Sequence, residues 1–311
     1  MIAMVAADSK STVMVTEPRA RLLARPAWLN WNWLGVAPFF LFILAFLLLP
    51  ATSIVRGALV DDNNQFTTQY MLNLFTQVYS TPYVNTIEIS IVTAIAGGLL
   101  GFLLAWSITV GGLPARIRSA VLSFSGVASQ FAGLPLAFAL AATLGRSAPI
   151  TKLLSNVGIN LYPSFTIYGV LGICLAYTYF QIPFMVLIMT PALDGLRQEW
   201  REAADNLGAS RAQYWRLVAL PILLPSLLSA LALLFSNAFG AYATAAVLVG
   251  GGVGGALIIS LKVASQFSTD SMTNPHQGYA LAFGMILIAG LTILLYSYAR
   301  GRAEQWRKSG T

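Results

Sequence analysis

Charge is scarce in this chain. Of 311 residues only 9% are Asp, Glu, Lys or Arg, against about a quarter in an average soluble domain. A single cysteine, Cys174, excludes an intramolecular disulfide and any cysteine-cluster metal site. A single histidine, His276, excludes a histidine-rich metal centre, and any Ser-His-acid set would have to be built on it alone. It reads as an ordinary surface histidine, and Cys174 as a small packing residue inside an apolar run. No GxxxxGK[ST] occurs, so the chain has no Walker-type loop with which to bind ATP. No catalytic residue, metal site or resident cofactor is therefore assigned. The first thirty residues are polar and mixed, without the basic cap and short apolar core of a cleavable signal. They are expected to form a cytoplasmic tail, with Trp28, Trp31 and Trp33 as aromatic anchors at a membrane interface.

What the chain does have is apolar length: 57% of it is hydrophobic. About 20 consecutive apolar residues cross a bilayer as a helix. Six such runs stand out, at 34–55, 84–110, 119–144, 164–187, 222–248 and 279–299. The period-2 alternation of a membrane barrel is not visible, so the spans are expected to be helices that satisfy their backbone internally. Basic residues set the orientation. With the N-terminus inside, Lys10, Arg19, Arg21, Arg25, Arg116, Arg118, Arg197, Arg201, Arg211, Arg216, Arg300, Arg302, Arg307 and Lys308 are cytoplasmic. Only Arg56, Arg146, Lys152 and Lys262 fall outside. The predicted fold is all-α, a six-helix polytopic membrane protein with both termini in the cytoplasm. The net charge of +7 is accounted for by this asymmetry, and nucleic acid is not an expected partner. The domain reading is a tail at 1–33, a membrane domain at 34–299 and a basic cytoplasmic tail at 300–311.

Between the first two spans, a polar loop with Asp61, Asp62, Asn63 and Asn64 faces outward, and short amphipathic helices are expected around Tyr70–Tyr79. Gly97, Gly98 and Gly101 in the second span favour close helix approach. Pro135 and Pro183 are expected to kink the third and fourth spans. The glycine cluster Gly250–Gly255 reads as a turn rather than a phosphate loop, and 257–267 as a short surface helix.

The most informative segment is charged, set between the fourth and fifth spans: EAADNLGASRAQYWRLVALP, Glu202–Pro221. Leu193, Leu196, Trp200, Ala203 and Leu207 recur at helical spacing and mark an apolar face. Asp194, Arg197, Arg201 and Asp205 mark a charged one. Gly208 suits a helix end. Ser210 with Gln213 three residues on is a capping-box start for a second helix, which meets the fifth span at Pro221. The spacing predicts helix, glycine turn, helix over 193–221.

Glu202, Ala203, Ala204, Gly208, Val218, Leu220 and Pro221 resemble the EAA loop of ABC importer permeases. Segments FAGLPLAFALAATLG (131–145), QIPFMVLIMTPALDGL (181–196) and FSNAFGAYATAAVLVGG (235–251) are similar to type I importer permeases, most of all the branch handling polyamines, iron, sulfate, molybdate, thiamine or phosphonates. The resemblance spans roughly residues 35–300. It implies one permease subunit of a binding-protein-dependent importer in a prokaryotic inner membrane. It further implies two ATPase subunits that bind ATP and magnesium, a second permease (related but different, as that branch commonly has) and an extracytoplasmic solute-binding protein. Carried over by position, Glu202 is the charged ATPase contact and Gly208 the turn. Trp215 and Tyr214 are the buried anchors, while Ala212 stands where relatives often have an aromatic.

Polar residues within the apolar runs are the translocation-path candidates: Glu88, Gln130, Tyr177, Gln181, Asn237 and Tyr242, with Tyr179 and Ser236 beside them. Asn237 and Tyr242 rank first, because the fifth span joins the charged segment directly. Glu88 is read as a contact for a cationic solute or a gate partner, or else as a carboxylate near the interface. The rival readings are a secondary transporter, which needs intramembrane ion-coupling groups where Glu88 stands nearly alone, and a membrane assembly protein without transport.

Overall fold

The computed structural model describes residues 32–162, 164–249, 258–267 and 274–308, with side chains described from Gly35 to Tyr298 within that range. Trp28, Trp31, the Trp33 side chain, Gly250–Gly255, the basic residues of the N-terminal tail and the side chains of Arg300, Arg302, Arg307 and Lys308 lie outside it. All regular structure among the described residues is helical; the nearest approach to a strand is an isolated bridge between Val60 and Phe66. Two compact units are distinguished, Met1–Ala51 and Thr52–Thr311.

The first unit holds α1 (Asn32–Ile43), a π-helical turn (Leu44–Leu48) and the start of α2 (Leu49–Leu59). The widened turn precedes Pro50. Proline lacks the N–H that would bond four residues back, and its ring crowds that carbonyl; one wider turn removes the conflict without breaking the helix.

In the second unit α3 (Gln69–Leu72) and a single 3-10 turn lead into α4 (Gln77–Val110), 34 residues and about 51 Å long. It begins upstream of the predicted residue 84 and exceeds the ~30 Å apolar layer of a bilayer. The short helices expected around Tyr70–Tyr79 are thus α3, the 3-10 turn and the first turn of α4. Then follow α5 (Ala115–Gln130), α6 (Leu134–Leu144), α7 (Pro149–Asn156), α8 (Val170–Asp194), α9 (Gln198–Asn206) and α10 (Arg211–Tyr214). A second π turn (Trp215–Ala219) joins α10 to α11 (Leu220–Phe239), and α12 (Ala243–Val249), α13 (Ile259–Gln266) and α14 (Pro275–Lys308) complete the chain. This second π turn stands two residues before Pro221, the same relation as at Pro50, and lets α10 and α11 run on as one helix.

Among the described residues five helical segments are long and apolar enough to cross a membrane, and a sixth span results if the bent pair 115–130 and 134–156 is one crossing. Three predicted spans change shape. The third is not merely kinked at Pro135. It is broken at 131–133, where the axis turns by 97°, because Gly133 adopts φ +74 and Pro135 occupies the first turn of α6, where its missing N–H costs nothing. The fourth runs to Asp194 rather than Leu187, and Pro183 lies buried without interrupting it. The fifth ends at Phe239, and the chain turns at 240–242 before α12. The predicted surface helix is tucked in: Ile259 is fully buried and its N–H donates to Thr86 Oγ1 at 2.9 Å.

The core is the packing of α4 on α8, with α11 against both and against α14. The three glycines of α4 make it possible. A Cβ on Gly97 would lie 2.5 Å from Gln181 Cβ, one on Gly98 2.5 Å from a Leu231 methyl, and one on Gly101 2.5 Å from the Ile182 carbonyl oxygen. Gln181 itself is fully buried and donates from Nε2 to Thr93 Oγ1 at 3.2 Å, while its Oε1 has no partner.

At one end of this bundle the loop after α2 is pinned. Asp61 Oδ1 accepts from the N–H groups of Asn63 and Gln65. His276 is hydrogen-bonded through both ring nitrogens, to the Gly57 carbonyl and to Asp62 Oδ1, each at 2.9 Å. That is the satisfied histidine the sequence suggests.

Two stability outcomes follow from the α4–α8 contact. Gly101→Ala must move backbone, so we expect about 1–3 kcal/mol of destabilisation, read as a lower melting temperature in detergent; Gly290→Ala, with nothing within 4 Å, serves as the neutral control. Gln181→Met removes an amide with one weak bond and one unpartnered oxygen, so its cost should stay within about 1 kcal/mol. A large loss there would contradict the packing described.

Candidate functional site

Two helix breaks face each other. The first, 131–133, separates α5 from α6; the second, 240–242, separates α11 from α12. A broken membrane helix leaves backbone groups without partners, and these must be met by side chains or face a cavity. Both things happen here. Tyr177 donates its hydroxyl from α8 to the Ala241 carbonyl at 3.1 Å, and Ser260 donates to the same oxygen at 3.0 Å from α13. Across the gap Thr244 Oγ1 donates to the Gly133 carbonyl at 3.3 Å, which also accepts from the Ala137 N–H at 3.1 Å. The two breaks are thereby tied to each other.

Between them lies a cavity of about 420 Å³. Ser129, Gln130, Ala132 and Gly133 line it from the first break, Ser236, Asn237, Gly240, Ala241, Tyr242, Ala243 and Thr244 from the second, and Phe180 from α8. Every polar side chain in this lining is neutral. Gln130, Asn237 and Tyr242 are exposed, while Ser236 Oγ is buried without a partner. The site offers several short hydrogen-bonding groups and no fixed charge.

Three of the six path candidates, Gln130, Asn237 and Tyr242, meet here. The other three do not line the cavity. Tyr177 is buried and supports it by holding Ala241. Gln181 is a buried α4–α8 contact. Glu88 is exposed on α4 beside Val84, Ile91 and Val92. Nothing in the sequence singled out Ser129, Gly133, Gly240 or Thr244. The usable signal was a glycine immediately before Leu-Pro and another at the end of an apolar run, both inside predicted spans.

At the far end of the bundle stands the charged hairpin. The helix of its first arm is α9, not one continuous helix from Leu193, since α8 ends at Asp194 and Arg197 begins the next. The apolar face also shifts. Ala204 is buried and Leu196 and Trp200 partly so, whereas Ala203 is exposed and Leu207 is 87% exposed. α9 closes with a Schellman motif: Ala209 N–H to the Ala204 carbonyl, Gly208 N–H to that of Asp205, and Gly208 at φ +75. Ser210 and Gln213 then form the capping box, with bonds of 2.7 and 3.3 Å.

The hairpin is fixed to the bundle by inward side chains. Tyr214 is buried with Ala204 and Ala219, and Trp215 meets Trp106 of α4 edge-on at 5.9 Å. Both aromatics thus pack against their own chain. Arg118 at the start of α5 pairs with Asp194 at the end of α8. The outward surface is left to Glu202, which accepts from Gln198 Nε2 at 2.8 Å, with Ala203, Leu207 and Gly208.

Residues 157–302 match the family of binding-protein-dependent transport system inner membrane components. The sulfate transport system permease protein CysT of Salmonella typhimurium is 28% identical over 83% of this chain and 87% of its own length. The spermidine/putrescine permease PotB of Haemophilus influenzae is 24% identical over 84% and 91%. Among solved structures, a bacterial alginate ABC transporter in complex with alginate pentasaccharide-bound periplasmic protein contains a chain of similar fold. Its TM-score is 0.64 at 15% identity, covering 88% of this chain and 94% of that one. Broken apolar helices around a neutral cavity, a charged hairpin at one end, and these matches agree: residues 157–302 carry the inner-membrane component of a binding-protein-dependent transport system, and the chain is similar along most of its length to multi-pass permeases of such systems.

Proposed function

We propose that this permease carries a sulfate-like oxyanion through the cavity between the two helix breaks, driven through the Glu202–Pro221 hairpin by ATPase subunits. The observation that carries the reading is the cavity's chemistry. Gln130, Asn237, Tyr242, Ser129 and Thr244 bring hydroxyl and amide donors to one place, and no carboxylate lines it. A polyamine would call for acidic partners; an oxyanion is served by neutral donors that hold it weakly enough to let it go. The sulfate permeases among the relatives support the same class of solute.

In this reading both termini and the hairpin are cytoplasmic, and the remainder of the importer is two ATPase subunits, a second and different permease, and a periplasmic binding protein. Glu202, Ala203, Leu207 and Gly208 form the surface offered to the ATPase. Ala204, Tyr214 and Trp215 hold the hairpin on the bundle, and Pro221 sits where the second arm becomes α11. Asn237 is on that same helix, so a push on the hairpin reaches the cavity without crossing a flexible joint.

Two sets of variants test this in the transporter complex purified from its native host and reconstituted. Asn237→Leu or Tyr242→Ala should lower sulfate uptake by about tenfold, the loss of roughly one hydrogen bond to a charged solute, with ATPase recovery unchanged. Spermidine uptake in place of sulfate would overturn the solute class. Glu202→Lys and Gly208→Pro should abolish binding-protein-stimulated ATP hydrolysis while membrane insertion stays normal; normal coupling in both would remove the hairpin from the mechanism.

A further inference from the structure

Between Glu88 and Asp194 the chain contains no Asp or Glu at all. Arg146 and Lys152 lie in that stretch, both exposed, and neither appears in an ion pair among the described residues. They flank and occupy α7, the eight-residue helix that follows α6. Ile150, Leu153 and Val157 fall at i, i+3 and i+7 and share a face. That face is open: Leu153 is 64% and Val157 78% exposed. Lys152 and Asn156 lie to one side of it, and Thr151, on the other, is buried against the bundle.

This is an ordered element, not a loose loop with apolar residues in it. α7 ends in its own Schellman closure, with Ile159 N–H on the Leu154 carbonyl at 2.9 Å, Gly158 N–H on that of Ser155 at 3.0 Å, and Gly158 at φ +90. Tyr162 ties the following loop back by donating to the Leu144 carbonyl at 2.9 Å. The helix is therefore held with three aliphatic side chains outward and a cationic flank. In water that arrangement is unfavourable. At a bilayer surface it is the pattern of a helix lying in the interface, aliphatic side in the acyl boundary and basic side among phosphates. Phe138 of the preceding α6 is likewise exposed, at 62%.

We propose that α7 is an in-plane interfacial helix and that Arg146 and Lys152 bind the headgroup phosphate of an anionic phospholipid. The charges are unopposed because the lipid supplies the counter-ion. In the orientation of the proposed function both residues fall on the side of the membrane where basic residues are disfavoured, and a bound lipid accounts for their place there.

The test uses the intact complex in vesicles of phosphatidylglycerol and phosphatidylcholine. Cys174→Ala removes the only native thiol of this chain, so Leu153→Cys and, separately, Ser155→Cys can each place a single spin label on it. Position 153 should collide with oxygen in preference to a water-soluble nickel chelate, and position 155 the reverse. Titration of the complex with phosphatidylglycerol, followed by native mass spectrometry, should show tighter binding than phosphatidylcholine. Arg146→Gln with Lys152→Gln should weaken it by roughly 5-fold per charge, with the 153 label still in the acyl boundary. The proposal is overturned if the label at 153 sees water, or if the two lipids bind equally and the substitutions change neither. It is also overturned if the label becomes protected only when the binding protein is added, which assigns the face to that protein.

Discussion

A helix that stops inside a membrane must have its loose backbone groups answered, and the rest of this structure is arranged around two such stops. The Ala241 carbonyl takes hydroxyls from both Tyr177 and Ser260; the Gly133 carbonyl takes Thr244 and the first closed turn of α6. Each unanswered amide or carbonyl in hydrocarbon costs several kcal/mol. The breaks can exist only because α8 and α13 are held close enough to supply these donors. That closeness in turn rests on Gly97 and Gly101, which let α4 approach α8 until a methyl group would collide with side chain or backbone. The cavity is thus a consequence of tight packing elsewhere.

The same economy of backbone appears at the hairpin end. Helices near a proline usually kink; here a single widened turn before Pro221 keeps α10 and α11 in one run from Arg211 to Phe239. A rigid run matters if force is to travel, since a kink would dissipate displacement as bending. The Arg118–Asp194 pair and the Trp106–Trp215 contact link the hairpin end to α5 and α4 as well. An exposed ion pair of this kind contributes little to stability, so its effect is on position: it joins the foot of α5, which ends at the cavity, to the foot of α8.

What the sequence made legible was whatever depends on neighbours along the chain. The turn at Gly208 and the capping box at Ser210–Gln213 are local hydrogen-bond patterns, and both are present as read. So is the close-packing role of the α4 glycines, because residues four apart share a helix face. What depended on tertiary context was harder. Hydropathy does not distinguish a continuous span from two shorter helices meeting at an angle, so the breaks at 131–133 and 240–242 were hidden inside uniform apolar runs. Periodicity placed Leu207 on the inward face, but α9 starts anew after Gly195 and its phase shifts. The sequence makes Tyr214 and Trp215 anchors of an ATPase contact; in the fold they pack against Ala204, Ala219 and Trp106 of their own chain. Likewise Tyr177 and Gln181 are polar residues in spans like Asn237, and only the fold separates those that satisfy backbone or a neighbouring helix from those that reach open space.

The neutrality of the cavity bears on how such a subunit handles its solute. A fixed charge at the breaks would bind an ion of opposite sign tightly and, in a low-dielectric setting, would itself need a counter-charge when the site is empty. Hydroxyls and amides avoid both problems: between passages they can bond to water or to each other, and they turn towards a solute without a net change in the protein's charge. With no charged side chain in its lining, the cavity is free to change shape without separating or pairing charges. A cavity of this composition is poor at selecting one solute from a mixture, because neutral donors discriminate weakly between ions of similar size. Selection must then act before the solute arrives, which in the proposed reading is the task of the binding protein.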